Sequence, residues 1–86
     1  MKTKEDILNS IKQAAEEISL GRLQASSLSA DARIIGDLAL DSMDYATIML
    51  LTEQKTAIKI REEGVDWAKI QTLDQLADLF VTNLSK

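Results

Sequence analysis

The 86 residues carry a net charge of −4, from 14 acidic and 10 basic side chains. A single domain of that length buries a modest core, and its acidic balance argues against a nucleic-acid binder, which needs a basic face to neutralise phosphates. The chain has no cysteine and no histidine, which leaves no disulfide framework, thiol nucleophile or Ser-His catalysis, and few zinc constellations, to this chain alone.

No apolar run approaches the length of a bilayer span, and the stretch from Met1 to Asp6 lacks the apolar segment of a signal peptide. The expectation is one cytoplasmic domain over residues 1–86, monomeric, with neither a membrane nor a nucleic acid as partner.

In chain order, Thr3 can cap a first helix whose opening turn holds Glu5 and Asp6, where acidic groups suit the helix dipole. Ile7, Ile11, Ala14, Ala15 and Ile18 recur at helical spacing, and Gly21 offers a stop. The pattern predicts a helix over about residues 4–20. Residues 21–41 form a long connection, and such loops are uncommon unless functional or anchored. Leu23, Leu28, Ile34 or Ile35, and Leu38 are its candidate anchors, with a brief helical turn around Ala30 to Arg33. Ser26, Ser27 and Ser29 read as ordinary polar loop residues.

The stretch Gly36 to Asp44 sets an acidic turn before Ser42 and an apolar run after it. Asp41 is a good N-cap, because its carboxylate can accept from the free N–H groups of a starting helix. Ser42 then falls in the first turn of a helix predicted over 42–56. Met43, Ala46, Ile48, Met49 or Leu50, and Leu51 give this helix an apolar surface wider than one stripe, read as core on one side and partial exposure on the other. Met43 and Met49 read as core packing, and Tyr45 as covering the loop. Residues 34–54 contain Asp37, Asp41, Asp44 and Glu53 but no Lys or Arg. Such an acidic surface suits docking onto basic patches; the plainer reading is a solvated helix face.

Ala57 to Arg61 alternates apolar and basic residues and reads as a short extended link, too isolated for a sheet. Glu62-Glu63-Gly64 is a polar turn, and Asp66 can cap a very short helix containing Trp67, Ala68 and Ile70. Trp67 reads as covering the core edge, with a role in shaping a cleft as the alternative. Thr72 and Gln75 have the spacing of a capping box. Leu73, Leu76, Ala77, Phe80 and Leu84 follow, predicting a last helix over 73–84. The fold class is all-α: three main helices, one short helix and a long first loop.

The octet Asp37-Leu38-Ala39-Leu40-Asp41-Ser42-Met43-Asp44 resembles the attachment site of acyl carrier proteins, D-L-G-L-D-S-L-D, with Ala39 in place of glycine and Met43 in place of leucine. The resemblance implies an acyl-carrier-like four-helix bundle with 4′-phosphopantetheine esterified to Ser42. It also implies partner docking around Asp37, Asp41, Met43, Asp44, Tyr45 and Glu53, with no metal and no catalytic residue of its own. The implied partners are a phosphopantetheinyl transferase, an acyl- or aminoacyl-loading ligase, and synthase or transferase enzymes. The helix after Ser42 departs from the fatty-acid carriers, carrying Thr47, Thr52, Gln54 and Lys55 where those have several glutamates, so a specialised pathway is expected. The residues around Ser42 lean toward acyl over aminoacyl or peptidyl cargo. Outside the family, the competing reading is a helical interaction module with an unmodified Ser42.

Overall fold

Among the described residues three α-helices make the architecture: α1 (Lys4–Ile18), α2 (Ser42–Thr56) and α3 (Leu73–Leu84). The computed structural model describes residues 3–61 and 63–84. Met1, Lys2, Glu62 of the predicted polar turn and the side chain of Leu84 lie outside the described residues.

Helix α1 starts as its sequence predicts. The Asp6 N–H donates to Thr3 Oγ1 and the Thr3 N–H to Asp6 Oδ2, each at 3.1 Å, a reciprocal capping box. Its stripe of Ile7, Ile11, Ala14 and Ala15 is fully buried and packs against α2 and α3. The helix stops at Ile18, two residues short of the predicted end. The Gly21 N–H reaches back to the Glu16 carbonyl at 3.0 Å and the Leu20 N–H to Glu17 at 3.2 Å, the Schellman pattern. The left-handed position in that motif is Leu20, with φ of 54°. Gly21 therefore follows the stop rather than making it.

Helix α3 begins at its predicted capping box, with the Gln75 N–H on Thr72 Oγ1 at 3.1 Å and the Thr72 N–H on Gln75 Oε1 at 3.0 Å. Leu73, Leu76, Ala77 and Phe80 are fully buried, as the helical spacing requires.

Helix α2 has the predicted bounds but turns a different face inward. Its buried residues are Ile48, Thr52 and Thr56, whereas Met43, read from sequence as core, is 77% exposed and Leu50 is 53% exposed. The threonines are tolerated inside because each hydroxyl donates to the carbonyl four residues back, Thr52 to Ile48 and Thr56 to Thr52, both at 2.7 Å. Among the described residues no buried side-chain polar atom lacks a partner.

The connections correct two further expectations and decide between two alternatives. The helical turn of the first loop is a 3-10 turn at Ala25–Ser27, not around Ala30 to Arg33. Of the two candidate isoleucine anchors, Ile34 is buried and Ile35 is 54% exposed. The short helix is a three-residue 3-10 turn, Trp67–Lys69, capped by the Asp66 side chain on the Ala68 N–H. The link after α2 does alternate, with Ile58 and Ile60 buried around an exposed Lys59. Among the described residues there is no strand, only one isolated bridge between Arg33 and Thr72. The radius of gyration, 11.7 Å, matches the roughly 12 Å expected for one compact body of this length. No helix among the described residues is long and apolar enough to cross a membrane.

Leu20 offers a test of the α1 stop. Its side chain is 95% exposed, so truncation forfeits no packing, while glycine relieves the left-handed strain. Leu20→Gly is expected to stabilise the fold by about 0.5–1 kcal/mol, read as a higher denaturation midpoint. Leu20→Ala, which keeps a Cβ at that φ, should leave the midpoint unchanged.

Candidate functional site

The segment leading to Ser42 has almost no regular structure, so its backbone must find partners elsewhere. It finds them at the start of α3. The Ile34 N–H donates to the Gln71 carbonyl at 2.8 Å, the Leu73 N–H to Ala32 at 3.2 Å and the Asp74 N–H to Ala30 at 2.9 Å. Buried Ile34, Leu38 and Leu40 anchor the segment to the core. The Arg22 guanidinium adds a hydrogen bond to the Leu38 carbonyl at 3.3 Å. Between the last two anchors, Ala39 takes a left-handed conformation with φ of 56°.

Asp37 closes this loop internally. Its Oδ2 accepts from the Arg33 N–H at 2.8 Å and its Oδ1 from the Arg33 guanidinium at 3.2 Å. The guanidinium, with the backbone N–H, holds the Asp37 carboxyl below its ordinary value. The negative charge of residues 34–54 is thus smaller than their own composition implies, because Arg33, one residue before the stretch, offsets Asp37.

Asp41 and Asp44 fix the start of α2. The Asp44 N–H donates to Asp41 Oδ1 at 2.8 Å and the Asp41 N–H to Asp44 Oδ2 at 3.2 Å. Asp41 is therefore the N-cap that the sequence predicts, with aspartate at the reciprocal position where glutamate is usual. Ser42 is the first helical residue and is exposed. Among the described residues nothing hydrogen-bonds its hydroxyl. Met43 projects beside it into solvent.

Tyr45 turns the other way. Its hydroxyl donates to the Ile70 carbonyl at 2.9 Å, and its ring meets Trp67 edge to face, centroids 6.1 Å apart and planes at 88°. Burial pushes its phenol up to about 12, so it stays a neutral donor at physiological pH. Ser42, Tyr45, Met49, Trp67, Ala68 and Ile70 line an open, largely apolar groove of about 610 Å³. The site thus gathers Ser42, Asp41, Met43, Asp44 and Tyr45, with Asp37 on the loop behind.

Glu53 does not join them. It lies eleven residues past Ser42, roughly 16 Å along the helix axis at 1.5 Å per residue. Its Oε2 accepts from the Ile60 N–H at 2.9 Å and so fastens the link after α2. The sequence offers Trp67 as a cleft residue only as an alternative, and it gives Arg33, one residue before the acidic stretch 34–54, no place at the site. The contact of Trp67 with Tyr45 spans a separation that no local pattern records.

Chemically, the site offers one accessible hydroxyl at a helix start, whose first-turn N–H groups lack intrahelical partners, beside an apolar trough. Comparison with protein-family models and with curated proteins gave no match.

Tyr45, the only tyrosine, makes its environment measurable. Its phenolate absorbance should develop near pH 12 rather than at the ordinary value of 10. Because the folded value is raised, the stabilisation is complete below about pH 10 and lost as pH rises toward 12. Tyr45→Phe keeps the ring but removes the hydrogen bond to Ile70, which should cost about 1 kcal/mol at neutral pH. The variant should also show a shallower alkaline decline in stability than the parent.

Proposed function

We propose that the chain is a carrier domain of the acyl-carrier type, holding 4′-phosphopantetheine on Ser42 and presenting acyl groups to partner enzymes of a specialised biosynthetic route. The observation that carries this reading is the setting of Ser42. It is exposed at the first position of a capped helix, within an octet resembling the carrier attachment site. The fit extends to backbone conformation: Ala39 is left-handed at the place where that octet carries glycine, the residue that adopts this conformation most freely.

Attachment would proceed with the Ser42 hydroxyl attacking the pantetheine-side phosphorus of coenzyme A. The new O–P bond forms as the pyrophosphate P–O bond breaks, adenosine 3′,5′-bisphosphate leaves, and the serine proton passes to a base of the transferase. In this reading the transferase brings both base and metal, consistent with a Ser42 hydroxyl that no described residue hydrogen-bonds. The attached arm supplies a terminal thiol that carries acyl groups as thioesters.

For docking, the proposed surface is Asp41, Met43, Asp44 and the exposed part of Tyr45, all close to Ser42. Asp37 contributes shape more than charge, because Arg33 pairs with it. Glu53 contributes at a distance and with one oxygen engaged. With Thr47, Gln54 and Lys55 along the helix, this surface is poorer in carboxylates than that of the fatty-acid carriers, which supports loading by a dedicated ligase or synthase.

Incubation with coenzyme A and a broad-specificity phosphopantetheinyl transferase is expected to add the mass of one phosphopantetheinyl group. Ser42→Ala should abolish the addition and keep the helical circular dichroism, since the side chain is exposed. Modification surviving in Ser42→Ala would overturn the assignment.

The charge of the docking surface can be separated from its capping role. Asn caps about as well as Asp, so Asp41→Asn removes charge while keeping the helix start. Together with Asp44→Asn it should slow modification severalfold at low salt, with the difference shrinking as the Debye length falls. Equal rates at low salt would show that these charges do not steer the transferase.

A further inference from the structure

Resting on the carrier reading, we infer that the aromatic corner beside Ser42 selects the cargo: it favours a compact, planar acyl group, aromatic or conjugated, over a long linear chain. Three observations combine. Ser42 lines the same groove as Tyr45 and Trp67, so a group tethered at Ser42 has that groove at hand. The two rings stand at 88° with centroids 6.1 Å apart, and the Tyr45–Ile70 hydrogen bond holds this arrangement. A flat guest can lie against one ring face and present its edge to the other, which satisfies both preferred aromatic geometries at once. The Met49 thioether in the same wall adds a polarizable contact suited to an aromatic edge.

The third observation concerns depth. Ile7, Ile11, Ile48, Leu76 and Phe80 fill the bundle interior with no exposed surface. A longer alkyl chain therefore gains little further burial beyond the groove and trails into water. The groove rewards width and flatness, not length.

The test uses the intact protein loaded through the transferase with benzoyl- or dodecanoyl-coenzyme A, with mass spectrometry confirming each product. The first readout is cleavage of the thioester by hydroxylamine, each rate divided by that of the same acyl group on free pantetheine. The second is emission from Trp67, the only tryptophan. The benzoyl thioester is expected to be protected about threefold to tenfold, the range of one good aromatic contact, with a shift in Trp67 emission. The dodecanoyl thioester should show less protection. Ala68→Glu and Ala46→Glu alter exposed positions in the groove wall and should remove the benzoyl protection while the helical signal persists. Protection of dodecanoyl equal to or greater than that of benzoyl, or benzoyl protection unchanged in both variants, would overturn the inference and leave the carrier reading standing. Failure to gain any acyl-phosphopantetheine mass would overturn both.

Discussion

The structure depends on how a long irregular segment satisfies its own backbone. Residues 28–40 cannot pair among themselves in a helix or sheet, and burying their polar groups unpaired would be costly. Turns close part of the segment on itself, as in the Asp37–Arg33, Leu38–Arg33 and Ala32–Ser29 bonds, and the rest bonds to the start of α3, through the Ile34–Gln71, Leu73–Ala32 and Asp74–Ala30 hydrogen bonds. The first N–H groups of a helix lack intrahelical partners, so the segment and the helix start each supply what the other lacks. Gln71 also follows directly on the turn bearing Trp67 and Ile70. The loop that delivers Ser42 and the wall that faces it are therefore joined to the same few residues.

Helix α2 shows how burial and function divide one element. Its inner face carries Thr52 and Thr56, its outer face Met43 and Leu50, the reverse of a simple apolar-inside pattern. The threonines are acceptable inside because their hydroxyls bond the preceding turn, leaving methyl groups to the core. The exposed methionine beside Ser42 has no such internal account. Met43 is adaptable and weakly constrained, which supports its proposed place at a surface that several partners must cover in turn.

What the sequence revealed was whatever is local. The N-caps at Thr3 and Asp41, the capping box at Thr72 and the stripes of α1 and α3 each lie within one or two helical turns, and each could be read directly. The inward face of α2 could not, because its apolar and polar residues are spread around the axis and no periodicity singles out one side. Ile34 and Ile35 could not be separated, since a loop has no period to choose between neighbours. The early end of α1 depends on a leucine in a conformation that its identity does not advertise. At the site, the serine and its cap were legible from adjacent residues. The Arg33–Asp37 pair is local but depends on the turn a loop takes between the two residues, and the Tyr45–Trp67 corner arises from tertiary placement that spacing alone does not encode.

The electrostatics around Ser42 are consequently sparse but ordered. Asp37 and Arg33 largely cancel, so the local negative charge comes from Asp41 and Asp44. Each of these gives one oxygen to the other's N–H, Asp41 through Oδ1 and Asp44 through Oδ2. Their remaining oxygens have no partner among the described residues. A carboxylate held in this way has already lost most of its rotamer freedom on folding, so a partner's lysine or arginine would meet an acceptor that needs little further ordering. Two oriented carboxylates can then serve the proposed docking where a helix with more, but freer, glutamates would rely on charge alone. The same fixed cap that starts α2 would in that way also set the direction from which a partner approaches Ser42.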